Sequence, residues 1–343
     1  MIRMNNDYNR GAFPSILRAL SETARESYPG YGTDDWCARA ADRIRDLARA
    51  PKADVWFFPG ATQANLVVIA AALNGVQSVV AADTGHIHCH EAASIEATGH
   101  KILALPPENG KITAAQVREC VKAYREADEA EYLTEPGLVY LSFPTEQGTL
   151  YSKRELTEIS EVCRAEGLVL FVDGARLSYG LGSPANDLTL ADFARLADVF
   201  YLGGTKGGAL FGEALVVSGQ ALRRRFKAQM KQRGAVLAKG WLLGLQFAVM
   251  LESGEYFEAA RWADAQALRI REAFLKKGIP LWRESFTNQQ FVVLTDEQKA
   301  SLGKEFLFEE EGREPRGTIV RFCTSWATEQ PEVDALIAAI ESL

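Results

Sequence analysis

Between residues 53 and 217, short apolar runs alternate with longer segments of helical period. The runs fall at 53–58, 79–82, 101–105, 138–143, 168–172 and 199–202, and most are continuous rather than alternating. Strands buried on both faces read this way. Helix-length segments stand between them. One begins near Thr62 and stops at Asn74-Gly75, and another covers 113–129. A third opens on a Ser152/Glu155 capping box and closes at Gly167, and a fourth lies near 189–197. Strand–helix alternation of this length has one common solution, a mostly parallel sheet covered by helices on both faces. Such sheets bind ligands at the carboxyl ends of their strands, so the residues just after each run carry the functional expectation.

Two of these strand ends are chemically distinctive. The run at 199–202 leads into Gly203-Gly-Thr-Lys206-Gly-Gly208, where one lysine stands alone among four glycines. Glycines let the backbone turn tightly and approach a ligand closely. Partial desolvation of the lysine favours its neutral, nucleophilic amine, which makes Lys206 a candidate Schiff-base former. The run at 168–172 ends in Asp173-Gly-Ala-Arg176. A lysine and an aspartate on neighbouring strand ends are what pyridoxal 5'-phosphate (PLP) requires: the lysine anchors the aldehyde, and the carboxylate keeps the pyridine nitrogen protonated. The plainer alternative makes Lys206 an exposed loop charge. A third strand end, Pro59-Gly-Ala-Thr-Gln-Ala-Asn65, places small residues at a helix N-terminus, where free N–H groups suit a phosphate. The alternative there is ordinary N-capping by Thr62.

Three of the four histidines fall in Asp83-Thr-Gly-His86-Ile-His88-Cys-His90-Glu91. On a strand all three would share one face and suggest a metal site; on a helix they would diverge. No fourth-ligand pattern accompanies them, so the expectation is no metal, one histidine near a cofactor and two structural ones. His100 is expected at the surface.

The chain has 343 residues, 47% hydrophobic and 24% charged, with a net charge of −7. It should fold with a full core, and the charge argues against a nucleic-acid partner. The basic run Arg223–Arg225 with Lys227 and Lys231 reads as a solvated helix face. Five cysteines without a CxxC pair fit reduced thiols in a cytoplasmic protein. No leader and no membrane-length apolar run is seen. Residues 1–35 form an irregular arm of the kind that lies across subunit interfaces, with a short helix near 14–25. A helix capped by Thr33 or Asp34 follows. The pattern from 219 to 277 is helical, broken at Ser253-Gly254, with the basic stretch 231–240 inside it. Strands near 289–294 and 318–323, flanking one helix, and a last helix make a small α/β domain containing Arg321. The expected division is 1–35 arm, 36–250 large domain and 251–343 small domain.

With these residues placed, the chain resembles the low-specificity L-threonine aldolases of the fold-type-I PLP family, which also holds aminotransferases and β-eliminating lyases. The resemblance rests on Tyr31-Gly-Thr-Asp-Asp35, Pro59-Gly-Ala-Thr-Gln-Ala-Asn65, His86 followed by Glu91, Thr145-Glu-Gln-Gly148, Asp173-Gly-Ala-Arg176, Thr205-Lys206 and Arg321, in that order. It implies a fold-type-I, PLP-dependent transferase-like α/β fold with a mostly parallel sheet and a small C-terminal α/β domain. It implies a carbon–carbon lyase that splits threonine, allo-threonine or a related β-hydroxy-α-amino acid into glycine and an aldehyde. Lys206 would hold the cofactor aldehyde, Asp173 would pair with the pyridine nitrogen, and His86 would stack on the ring near the substrate hydroxyl. Gly60, Ala61 and Thr62 would hold the phosphate. Arg176 and Arg321 would bind the substrate carboxylate, with Asn6 beside it. Tyr31 would reach a neighbouring subunit's site, in a homodimer or homotetramer, and Arg233 or Lys239 would touch the phosphate across that interface. Two positions depart from the family: Glu146 and Ser325 stand where many members have His. The base for the β-hydroxyl proton is then Glu146 or His86. Another PLP reaction, a lyase or an aminotransferase acting on a β-substituted amino acid, and a non-catalytic α/β binding protein are the alternatives.

Overall fold

The computed structural model describes residues 1–343 apart from 220, 221, 223 and 224. The chain begins with β1 (Ile2–Arg3), α1 (Pro14–Glu22) and α2 (Asp35–Leu47). It then alternates through β2 (Asp54–Phe58), α3 (Ala61–Ala72), β3 (Gln77–Ala82), α4 (His86–Cys89), β4 (Ile102–Leu105), α5 (Ala114–Arg125), β5 (Glu135–Ser142) and α6 (Lys153–Glu166). Next come β6 (Val169–Asp173), α7 (Leu177–Gly182), α8 (Leu190–Leu196), β7 (Val199–Gly203) and β8 (Glu213–Val217). Three helices follow, α9 (Phe226–Gln232), α10 (Trp241–Ser253) and α11 (Glu255–Lys276). The last part is β9 (Leu281–Arg283), β10 (Gln289–Leu294), α12 (Asp296–Leu302), β11 (Phe306–Leu307), β12 (Glu309–Glu314), β13 (Gly317–Cys323) and α13 (Gln330–Ser342).

Seven strands make one sheet in the order β2-β8-β7-β6-β5-β3-β4, in which β8 runs antiparallel to both of its neighbours and the remaining pairs are parallel. The expected fold class is the one found. Both faces are covered, as the continuous apolar runs require. Val80, Val139, Leu141, Val172, Phe200 and Leu202 belong to one core, while Val79, Leu138, Tyr140, Phe171, Val199 and Tyr201 belong to the other. Adjacent residues of one strand therefore feed opposite cores. The order sets β5, β6 and β7 side by side, with Ser142 in register with Asp173. The Pro144 loop, the Asp173 turn and the Lys206 turn are thereby brought together at one end of the sheet.

Several local expectations change. The histidine segment is the short helix α4 with His90 just after it, so the three do not share a strand face, yet the His86 and His90 rings pack together with centroids 5.5 Å apart. His100 is buried, with its Nδ1 3.0 Å from Gln77 O; the left-handed Gly99 turns the chain so that this ring packs at the foot of β3. Thr62 is not the cap of α3: Gly60 takes that position and no side chain caps the helix. Between α9 and α10 the chain leaves the helix over residues 233–240, with Gly234 at φ +75. There Gly240 packs so closely on Gly32 that a Cβ would stand 2.6 Å from Gly32 N. Of the basic run, Arg223 and Arg224 lie outside the described residues, and Arg225 precedes α9 at a positive φ of 62.

The C-terminal part holds more strand than its sequence suggests, a four-stranded antiparallel sheet in the order β12-β13-β10-β9. Its core joins Val292, Leu294, Val320 and Phe322 to Ile270 and Phe274 of α11 and to Leu336 and Ile340 of α13. Met4 enters this core, and β1 pairs in parallel with β11. Phe13 and Ile16 instead join the large-sheet core. The N-terminal segment thus bridges both layers.

Candidate active site

A cavity opens at the strand ends. It is lined by Ala61, His86, Ser142, Pro144, Glu146, Asp173, Ala175, Arg176 and Lys206. Six residues singled out in the sequence are therefore gathered in one place, although they come from five separate segments.

Asp173 ends β6 and is 4% exposed. Its Oδ2 accepts from Tyr140 Oη at 2.5 Å and from Asn65 Nδ2 at 3.1 Å, and its Oδ1 accepts from Ala175 N at 2.9 Å. Burial works against its charge, yet His86 and these hydrogen bonds outweigh it and hold the carboxyl below its ordinary range. It is thus kept ionised in a dry setting. Lys206 follows β7 on its glycine turn and is half-buried. Burial first, then the Arg176 charge, push its amine below the usual lysine range; Asp7, Asp173 and Glu213 pull the other way. The Tyr8 ring centroid lies 6.0 Å from its Nζ. The exposed-loop reading of Lys206 does not survive this environment.

His86 opens α4. Its Nδ1 lies 2.8 Å from Oε1 of Glu91, whose side chain is fully buried and is also bound by Asn65 Nδ2 at 2.7 Å and by Ser94 Oγ at 2.8 Å. Burial disfavours the charged ring, but the Glu91 bond and the Asp173 and Glu91 charges prevail and raise its pKa. Glu146 accepts from His86 N at 2.9 Å and from Ser142 Oγ at 2.5 Å, while burial raises its carboxyl above the ordinary value. His86 and Glu146 thus meet at the same wall of the cavity.

The N-terminus of α3 faces this cavity through Ala61, and Gly60 and Thr62 flank it without a side-chain cap. A Cβ on Gly60 would meet nothing within 4 Å. An amine held low, an ionised buried carboxylate and an uncapped helix N-terminus around one cavity form the donor set that PLP needs.

The candidates for binding the substrate carboxylate and for contact across an interface are spread more widely. Arg176 reaches the cavity but is held from behind by Asp7, Nε to Oδ2 at 2.7 Å and Nη2 to Oδ1 at 3.0 Å; Asn288 Nδ2 adds a bond to the same Oδ2 at 2.9 Å. Arg321 does not line the cavity; its Nη1 pairs with Glu311 at 2.9 Å, and its Nη2 approaches Asn5 O at 3.5 Å. Asn6 accepts from Tyr8 N at 3.2 Å. Tyr31 is exposed at a separate cleft with Asp34, Arg45 and Lys227, under Lys231 Nζ 4.7 Å from its ring centroid. The Arg233 carbonyl accepts from Gln63 of α3 at 2.8 Å, whereas Lys239 is exposed. Ser325 is buried and donates its backbone N–H to Thr328 Oγ1. Among the described residues no three His, Cys, Asp or Glu side chains are grouped for a metal ion.

Sequence reasoning gave no role to Asp7, Asn65, Tyr140, Ser142 or Glu213. Tyr140 and Ser142 were visible as polar residues inside an apolar run, and Glu213 as an acid opening one. Asp7 had no local signal, since its partners lie 169 and 281 residues away.

Residues 14–297 match the beta-eliminating lyase family. A low specificity L-threonine aldolase from Pseudomonas sp. (strain NCIMB 10558) is 29% identical over 98% of this chain and 96% of its own length. The solved structure of Leishmania major threonine aldolase superposes with a TM-score of 0.96 at 41% identity, covering 100% of this chain and 99% of that one. An aromatic aminotransferase from Pyrococcus horikoshii OT3, at 15% identity and a TM-score of 0.72 over 99% of this chain and 95% of that one, shares the fold.

Proposed function

The chain belongs to the beta-eliminating lyase family, and on that premise we propose that it is a PLP-dependent carbon–carbon lyase that cleaves threonine and related β-hydroxy-α-amino acids to glycine and an aldehyde. The observation that carries the reading is the shared cavity of Lys206, Asp173, His86, Glu146 and Arg176. The residues fit the cofactor: Lys206 would hold its aldehyde, Asp173 its pyridine nitrogen, and Gly60, Ala61 and Thr62 its phosphate. Bound there, PLP supplies an electron sink for the pair left at the substrate Cα.

The protein's own groups do the remaining work. Arg176, oriented by Asp7, binds the substrate carboxylate, with Asn6 beside it; Arg321, on β13, would join as the second arginine on releasing Glu311. A carboxylate fixed by two arginines sets which bond at Cα stands ready to break. His86, made more basic by Glu91, takes the β-hydroxyl proton. Glu146, whose burial favours its neutral form, is tied to His86 N and is the second candidate to hold that proton. As the aldehyde leaves, a proton returned at Cα gives glycine.

The arm at 1–35, the sheet domain at 36–250 and the small domain at 251–343 are the units we assign to this machinery. Exposed Tyr31 and its cleft support a homodimer or homotetramer in which Tyr31 reaches the neighbouring site. Arg233 and Lys239 are the two basic candidates to touch the phosphate across that interface. The five cysteines are unpaired, and among the described residues no helix is long and apolar enough to cross a membrane; both agree with a cytoplasmic location.

The test is the visible spectrum of the purified protein with PLP, wild type against Lys206→Ala, with acetaldehyde assayed after L-threonine is added. The expected result is a bound-cofactor band and acetaldehyde release, both lost in Lys206→Ala. A band without acetaldehyde, with ammonia and a keto acid instead, would move the assignment to another PLP reaction. No band in excess PLP would end it.

A further inference from the structure

We propose that Glu213 is a positioning residue for Lys206: it fastens the turn that presents the lysine and sets a further carboxyl, besides Asp7 and Asp173, against the lysine amine. The inference rests on the reading of Lys206 as the reactive amine.

Glu213 opens β8 at 2% exposure, followed by the buried Ala214, Leu215, Val216 and Val217. An acid in such a place is costly unless it is bonded. Both of its bonds go to the two residues just before Lys206. Gly204 N donates to Oε2 at 3.0 Å, and Thr205 Oγ1 donates to Oε1 at 2.8 Å. Thr205 Oγ1 in turn accepts from Gly212 N at 3.0 Å, and Gly212 O accepts from Gly204 N and Thr205 N at 2.9 and 3.1 Å. The turn is thus stapled to the entry of β8 on both backbone and side chain. The same strand face carries Tyr201 of β7, since Glu213 and Gly203 are cross-strand partners and the pleat alternates.

A hydroxyl or an amide could hold this turn. A carboxyl adds charge where it is felt by Lys206, by Asp173 of β6, by Tyr201 of β7 and by Tyr256 of α11. Burial pushes Glu213 up to about 8, against the pull of the Thr205 bond, the Lys206 charge and the Gly204 bond. Its charge therefore changes near neutral pH, and that charge acts on the lysine amine. The sign is definite. Ionised Glu213 favours the protonated lysine, and neutral Glu213 releases the free amine. Asp7 and Asp173, held ionised, and the Arg176 charge supply a constant field; Glu213 supplies a variable one.

The experiment uses the full-length chain freed of cofactor, labelled with trinitrobenzenesulfonate from pH 6 to 10, with modification of Lys206 followed by mass spectrometry. Glu213→Gln should reach half-maximal labelling about one pH unit lower than wild type, with its circular dichroism spectrum retained. In the holoenzyme its kcat should fall about tenfold with KM for threonine within about twofold, as expected when an interaction outside substrate binding is lost. A folded Glu213→Gln with the wild-type labelling midpoint would reduce Glu213 to a structural role and overturn the proposal. If Glu213→Gln does not fold, Thr205→Val serves instead. Loss of the hydroxyl bond disfavours ionised Glu213, so the midpoint should move the same way by a smaller amount; an unmoved midpoint is the overturning result. A Lys206→Ala control whose cofactor band persists would instead remove the premise, and with it this inference.

Discussion

Asp7 and Arg176 are the tightest charge pair behind the cavity, with side-chain exposures of 0% and 14%. Burial works against the Asp7 charge, but Arg176, Lys206 and the Arg176 and Asn288 hydrogen bonds overcome it and lower its pKa to about 2. A depressed carboxyl stabilises the fold above its unfolded value, and this contribution fades as pH falls through the window down to about 2. Asp7→Asn would leave Arg176 buried without its counter-charge, and should cost about 3 kcal/mol in urea unfolding at neutral pH; an unchanged midpoint would count against the pair. The His86–Glu91 contact has the opposite sign. The raised His86 pKa means that its charged form is favoured in the fold, a gain present below the unfolded histidine value and lost as pH rises through the folded one. Glu91→Gln should therefore move the pH–rate limb that belongs to His86 to lower pH. A limb that stays in place would assign it to Glu146.

At the scale of elements, the site depends on how closely the ends of β6 and β7 approach. A Cβ on Gly174 would stand 1.8 Å from Tyr201 O, and one on Gly203 would stand 2.2 Å from Ala175 O. These are backbone collisions, so no rotamer change relieves them. Gly203→Ala should destabilise the protein by roughly 3 kcal/mol or more and weaken PLP uptake, read as loss of the visible band at fixed PLP. Full retention of both would mean that the turn has slack the structure does not show. The helices were legible in proportion to their caps. The Ser152/Glu155 box and the left-handed Gly167 bound α6 where the sequence places them. α9 carries no cap side chain, and the pattern there ran on through residues that are not helical. β12, Glu309–Glu314, is exposed along most of its length and has no apolar alternation, so only its pairing with β13 identifies it as a strand.

At the scale of the whole molecule, the proposed assembly turns on Tyr31. Tyr31 holds a positive φ of 63 and lies at the cleft formed with α2 and the Val236–Leu237 segment, away from Lys206 of its own chain. If it acts across an interface, Lys206→Ala and Tyr31→Ala, each inactive alone, should recover about a quarter of wild-type activity when mixed and allowed to exchange subunits. Light scattering on the same samples would give the assembly as a multiple of the 37.7 kDa chain. No recovery despite demonstrated exchange would place Tyr31 outside the site.

What the sequence determined by itself was the sheet and the chemistry at its strand ends. Continuous apolar runs specify burial on both faces, and Lys206, Asp173, Arg176 and the Gly60 turn each sit next to such a run, within reach of local reasoning. Tertiary structure alone decided which groups share the cavity and in what charge state. The Asp7 clamp on Arg176, the Asn65 bridge between Glu91 and Asp173, and the Glu213 staple behind Lys206 join residues far apart along the chain or on different strands. Charge state follows from burial and from those neighbours, and neither is a property of the local sequence: one lysine has a different basicity beside a different set of carboxylates.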